Sequence, residues 1–114
     1  MTDNHFIEID DLESLNRFVG NLNGSAGVVF KHSNTCGVSS RAYGEMSKLT
    51  FPVGIVVVQE ARSVSAEIER RWQVNHETPQ VLIIKNGKAV WNGSHFQVKA
   101  EEVDAALKKV SSEQ

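Results

Sequence analysis

The residue best equipped for nucleophilic chemistry is Cys36, the one cysteine in 114 residues. A single thiol excludes an internal disulfide and a zinc cluster built from several thiolates of one chain. Two roles remain. A lone cysteine can be a small buried hydrophobe, or its thiolate can exchange with a disulfide carried by another molecule. Its context favours exchange. In Phe30-Lys31-His32-Ser33-Asn34-Thr35-Cys36-Gly37-Val38-Ser39 a short apolar run gives way to a polar stretch. Helical spacing at Val38, Ala42, Met46 and Leu49 then follows. A thiol at such a strand–loop–helix junction faces the unpaired N–H groups of the helix's first turn, which favour the thiolate.

The energy required is specific. A free thiol with a pKa of about 8.5 is ~3% ionised at pH 7, and reaching ~90% means lowering it to about 6, roughly 3.4 kcal/mol. A helix dipole supplies ~0.3–1 kcal/mol, rising to about 2 in a partly buried geometry. Direct hydrogen bonds to sulfur must supply the rest, from backbone N–H groups and the hydroxyls of Thr35 or Ser39. Lys31, His32 and His76 are candidate cations for holding the thiolate or an acidic ligand. The competing reading makes each of them an ordinary surface or loop residue.

The second chemical feature is His76-Glu77-Thr78-Pro79-Gln80. Pro79 stands just before an apolar strand-like run, where a proline is otherwise unwelcome, and a cis bend accounts for it. An ordinary trans proline opening a strand is the alternative.

The elements that must position these residues follow from periodicity. Phe6 to Ile9 is a strand, and Asp10 with Glu13 offers a capping box for a helix over 11–22. Gly27 to Phe30 is a buried strand, Lys31 to Thr35 a loop, and a helix starts close to Cys36. Beyond Pro52, the β-branched run Gly54 to Val58 is a strand. Val64, Ile68 and Trp72 mark a third helix capped by Ser63 or Ser65. Val81 to Ile84 and Ala89 to Trp91 flank Asn86-Gly87, the preferred type I′ hairpin turn. Val103, Leu107 and Val110 line a last helix, with Glu101 and Glu102 in its first turn and Lys108 and Lys109 in its last, complementing the dipole. Trp72 and Trp91 are expected to pack rather than to form stacking platforms.

The order β-α-β-α-β-α-β-β-α predicts an α/β protein: a mixed central sheet with helices on both faces and an antiparallel hairpin at one edge. This is the element order of the thioredoxin fold, and the chain length suits a single domain, residues 1–114. The net charge is −2, with lysines and arginines dispersed, so nucleic acid is not an expected partner. No apolar run approaches the roughly 18 residues of a spanning helix, so no membrane partner is expected. Met1 to Asp10 lacks the pattern of a signal peptide, which places the expected compartment in the cytoplasm, where thiols stay reduced.

The stretches from Phe30 to Tyr43, Val74 to Gln80 and Asn86 to Trp91, ending near Ser94-His95, resemble the monothiol bacilliredoxins of bacillithiol-using bacteria. The resemblance covers nearly the whole chain. It implies a thioredoxin fold, a nucleophile at Cys36, a cis-proline at Pro79, and removal of bacillithiol from mixed disulfides on cytosolic proteins. It also implies bacillithiol as co-substrate, with no permanent cofactor and no metal. The expected substrate-binding residues are Thr35, Gly37, Val38, Ser39, Thr78 and Pro79, with Lys31, His32 and His76 contributing electrostatics. Ser39 stands where two-cysteine relatives carry a resolving thiol, and a hydroxyl cannot resolve a disulfide. Cys36-Gly37-Val38-Ser39 also resembles the Cys-Gly-Phe-Ser motif of monothiol glutaredoxins, which keeps an iron–sulfur cluster carrier as an alternative. A non-catalytic adaptor with a buried cysteine is another. An arsenate-reductase-like activity fits poorly, because Thr78 rather than an arginine precedes the proline.

Overall fold

A computed structural model describes residues 5–35 and 37–112. Its elements run β1 (Phe6–Glu8), α1 (Leu12–Leu22), β2 (Gly27–His32), α2 (Gly37–Ser47), β3 (Val53–Val57), α3 (Arg62–Trp72), β4 (Gln80–Lys85), β5 (Lys88–Ser94), a 3-10 turn (His95–Gln97) and α4 (Ala100–Ser112). The order matches the expectation, with the 3-10 turn added. The sheet order is β1-β3-β2-β4-β5. β1 and β2 pair parallel to β3, whereas β4 pairs antiparallel to both β2 and β5. The parallel half comes from helical crossovers and the antiparallel half from the hairpin.

Alternation along the strands divides the interior into two layers. Val28, Phe30, Val53, Ile55, Val81 and Ile83 face α2 and α4, packing on Ala42, Met46, Val103 and Val110. Val29, Val56, Leu82 and Ile84 face α1 and α3, packing on Leu15, Phe18, Val64, Ile68 and Trp72. Trp72 is buried and its Nε1 donates to the Gly87 carbonyl at 3.2 Å, while Trp91 packs against the first layer. Both tryptophans are packing residues, as expected. The sheet therefore carries helices on both faces, and the protein has the thioredoxin fold.

Several boundaries differ from the sequence reading. The N-cap of α1 is Asp11 rather than Asp10. Its carboxylate accepts from Ser14 N–H at 2.7 Å, and Ser14, not Glu13, closes the capping box. α3 begins after Ala61, which makes no side-chain cap, and Ser63 and Ser65 lie inside the helix. β2 runs two residues beyond Phe30, because Lys31 pairs with Val56 and Gln80 and His32 with Val57. The hairpin turn is as expected: Asn86 and Gly87 have φ of 55° and 76°, the positive values a type I′ turn needs.

Two side-chain contacts fix element ends that periodicity does not show. Glu45 of α2 accepts from Ala100 N–H at 2.9 Å and so caps α4. That bond, helped by Lys48, holds the Glu45 carboxyl below its usual pKa. Lys85 Nζ donates to the Val110 carbonyl at 2.6 Å, tying β4 to the far end of the same helix.

Candidate functional site

Cys36 lies outside the described residues. Its neighbours in the chain are described, and they form a network at the C-terminal end of β2. Ser33 and Ser39 are buried. Ser33 N–H donates to Ser39 Oγ at 3.3 Å, joining the loop to the first turn of α2. The Ser33 and Thr35 hydroxyls lie 3.3 Å apart. Gln59, in the connection after β3, binds both of them. Its Nε2 donates to Ser33 Oγ at 2.7 Å and to Thr35 Oγ1 at 3.0 Å, and its Oε1 accepts from Asn34 N–H at 3.2 Å. One side chain therefore holds three consecutive residues directly before Cys36. Gly37 is exposed and opens α2, Val38 is half-buried, and Ser39 is committed to Ser33.

A second polar cluster sits on the α3 side of the sheet. Lys31 is fully buried in β2, the central strand, rather than in a surface loop. Its Nζ lies 2.7 Å from His76 Nδ1, and Ser65 Oγ lies 3.2 Å from the same nitrogen. Burial lowers the Lys31 pKa to about 8, against the pull of Glu69 and Glu77. Burial and the Lys31 charge also push His76 down, with Glu69 and Glu77 again opposing. The exposed His76 covers Lys31, and its backbone N–H donates to Glu69 Oε2 at 3.1 Å.

His32 does not join this cluster. It is next to Lys31 in an extended strand and so points to the other face. There its ring lies 5.5 Å from that of Phe30 and 5.2 Å from that of Tyr43. Burial lowers its pKa, partly offset by the Ser39 backbone, and its Nδ1 is buried without a hydrogen-bond partner among the described residues. Of the three candidate cations, Lys31 and His76 meet and His32 stands apart.

The segment after His76 returns the chain to the sheet. The Thr78–Pro79 peptide bond is cis, as expected. Pro79 is buried, and its carbonyl accepts from His95 N–H at 2.8 Å. His95 also places Nε2 3.3 Å from Glu77 Oε1, which joins the 3-10 turn to the proline loop. Gln80 opens β4 opposite Lys31, and its Nε2 donates to the Asn75 carbonyl at 2.9 Å across the loop. β2 thus brings the stretch before Cys36 and the cis-proline segment to one end of the sheet. Among the described residues, no group of His, Asp and Glu side chains could hold a metal ion.

Sequence reasoning missed Gln59 and Ser65. Gln59 follows a β-branched run as one polar residue in a turn, and its three partners lie 24 to 26 positions away. No short-range pattern could single it out. Ser65 reads as a cap, yet its hydroxyl serves His76.

Comparison with known proteins agrees with this geometry. A solved structure described as a candidate oxidoreductase with a thioredoxin fold superposes with a TM-score of 0.83 at 26% identity, covering 90% of this chain and 94% of that one. Fasciola hepatica thioredoxin gives 0.74 at 17% identity, covering 90% and 96%. Mitochondrial thioredoxin 3 from Saccharomyces cerevisiae gives 0.72 at 12% identity, covering 94% and 97%. These last two likenesses show the fold alone. The family model for monothiol bacilliredoxin BrxC matches residues 7–103. Coverage from β1 into α4, including Cys36 and the Thr78–Pro79 segment, means that this chain belongs to the monothiol bacilliredoxin family.

Proposed function

We propose that this protein removes bacillithiol from mixed disulfides on cytosolic proteins by one-cysteine exchange at Cys36. The observation that carries this reading is the family membership of a chain whose one cysteine directly precedes α2. In the first step the Cys36 thiolate attacks the bacillithiol sulfur of a protein–bacillithiol disulfide. A Cys36–bacillithiol disulfide forms, the original S–S bond breaks, and the protein thiolate leaves and takes up a proton. No electrons are gained or lost overall in that exchange. In the second step an external thiol attacks the bacillithiol sulfur, releasing Cys36 as thiolate and leaving with bacillithiol as a disulfide. The external thiol is required because Ser39 offers only a hydroxyl.

The surroundings have defined parts in this scheme. Thr35, Gly37, Val38 and Ser39, next to Cys36 in the chain, are the proposed substrate-binding residues, and in this reading unpaired amide groups of the first turn of α2 favour the thiolate. Among the described residues the Thr78 N–H and C=O make no backbone–backbone hydrogen bond. They are available to an extended ligand added as a strand, with Pro79 beside it. Lys31 acts through its positive charge beneath His76 and not by touching an acidic ligand, because it is buried.

Intact-mass measurement after mixing with bacillithiol disulfide tests the proposal. The wild-type protein gains one bacillithiol and the Cys36→Ser variant gains none. A wild-type protein that stays unmodified while glutathione disulfide modifies it readily would overturn the bacillithiol assignment.

A further inference from the structure

Beside Gln59, which holds the loop before Cys36, lies an open groove of about 370 Å³, walled by Gln59, Arg62, Ser65, Glu69 and His76 with Val58 and Ala66. We infer that this groove holds the non-reacting, anionic end of the small thiol, with Arg62 as its carboxylate ligand. The inference deepens the exchange reaction proposed above and rests on it.

Position is the first support. Gln59 forms part of the wall and is bonded to Ser33, Asn34 and Thr35. Thr35 is one peptide bond from Cys36. On the other side, His76 stands two residues before Thr78. The groove is thus joined through Gln59 to the loop before Cys36 and through His76 to the approach to the cis-proline, and in this proposal the small thiol runs from Cys36 past Gln59 into it.

Charge is the second support. Arg62 is exposed at the start of α3 and makes no ion pair among the described residues. An unpaired guanidinium at the edge of the groove is suited to bidentate binding of a carboxylate. Behind the wall, the Lys31 ammonium contacts His76 and also has no ion-pair partner among the described residues. Glu69 supplies the opposite charge: one of its oxygens accepts from His76 N–H, and the carboxylate still faces the groove. Bacillithiol matches this arrangement. Its malate end carries two carboxylates remote from the sulfur, and its cysteinyl end carries a primary amine.

The test compares two disulfides that react at the same cysteine. Second-order rate constants for Cys36 modification are measured with bacillithiol disulfide and with neutral bis(2-hydroxyethyl) disulfide, and their ratio is taken. The ratio cancels any effect of a variant on the thiol itself. R62A is expected to lower it about tenfold, as for loss of one charge-assisted contact, and R62E by more. R62K should fall between R62A and wild type. If wild type reacts with bacillithiol disulfide and the ratio stays within about twofold in R62A and R62E, the groove assignment is wrong and the exchange reaction stands. If wild type reacts only with the neutral disulfide, the exchange proposal fails and the groove assignment falls with it.

Discussion

Lys31 Nζ and His76 Nδ1 lie 2.7 Å apart, bringing together two basic groups separated by 45 residues of sequence. Two cations at that distance would repel, so the pair holds one proton between them near neutrality. With the Lys31 pKa near 8 and that of His76 depressed, the ammonium donates and the imidazole accepts at Nδ1. The ring hydrogen of His76 then sits on Nε2. β2 thus carries a buried charge in the middle of the sheet, one residue short of the end of the strand that leads into the loop before Cys36.

That charge should cost stability, with a definite pH dependence. Lys31 has a pKa of about 8 in the fold and 10.5 in the absence of burial. Between those values the unfolded chain holds more protons, so this residue's contribution to stability rises with pH through that window. Lys31→Met should raise unfolding free energy at pH 7 by about 1–3 kcal/mol, as for other buried ions replaced by apolar groups. The advantage should shrink as pH moves from about 8 toward 10.5. Urea denaturation at pH 7 and pH 10 measures both, and a variant less stable at both pH values would contradict the assignment.

Gln59 should matter for exchange more than for folding. Gln59→Ala removes three hydrogen bonds to the loop before Cys36, of which the net worth to stability is about 1–2 kcal/mol. Cys36 modification by a neutral disulfide should slow about three- to tenfold, because Gln59 no longer holds the three residues that lead to Cys36. Hydrogen exchange at the Asn34 amide should accelerate at the same time. Unchanged exchange at Asn34 would show that Gln59 does not hold the loop.

The two aspartates before α1 should behave differently. Asp11→Ala removes the acceptor of the Ser14 amide, and that amide should lose its protection from hydrogen exchange. Asp10→Ala should leave it protected. The same bond from Ser14 holds the Asp11 carboxyl below its ordinary pKa. Its capping role therefore persists as pH falls until that lowered pKa is reached, and fades below it.

Two glycines give opposite outcomes. A Cβ at Gly54 would meet Ile9 Cδ1 at 2.6 Å and the Phe18 ring at 3.1 Å, so Gly54→Ala should cost about 1–3 kcal/mol. A Cβ at Gly44, inside α2, would meet nothing within 4 Å, so Gly44→Ala should add about 0.5–1 kcal/mol. Thermal denaturation of the pair checks both signs.

The architecture was legible because each apolar run carries its own period. Val28 and Phe30 alternate with Val29, and Val64, Ile68 and Trp72 recur at helical spacing, so neighbouring residues suffice to place those elements. Reading Lys31 as a loop residue failed because its polarity ends the apolar run. The strand continues there because Val56 and Gln80 pair with its backbone and His76 meets its ammonium, and all three are distant in sequence. Asp11 displaced Asp10 as cap for a similar reason. Two adjacent carboxylates look alike in sequence, and the backbone turn selects the one facing Ser14. Of the candidate site, the Thr78–Pro79 bend was suggested by the position of a proline before a strand and implied by the family resemblance, whereas Gln59 could not be read, since its function lies in partners on another loop.

Placing Lys31 and His32 side by side in β2 makes the strand intolerant of a change in length. A residue inserted or deleted between Gly27 and Phe30 would invert the facing of both. The ammonium would then be thrust toward Tyr43 on the α2 side, where His32 now lies, while the imidazole would replace it beneath His76. Such a chain would lose its proton-sharing pair and gain an unmatched cation on the oily side in a single step. Length variation in this family should therefore be absorbed in the connections around the sheet rather than within its middle strand.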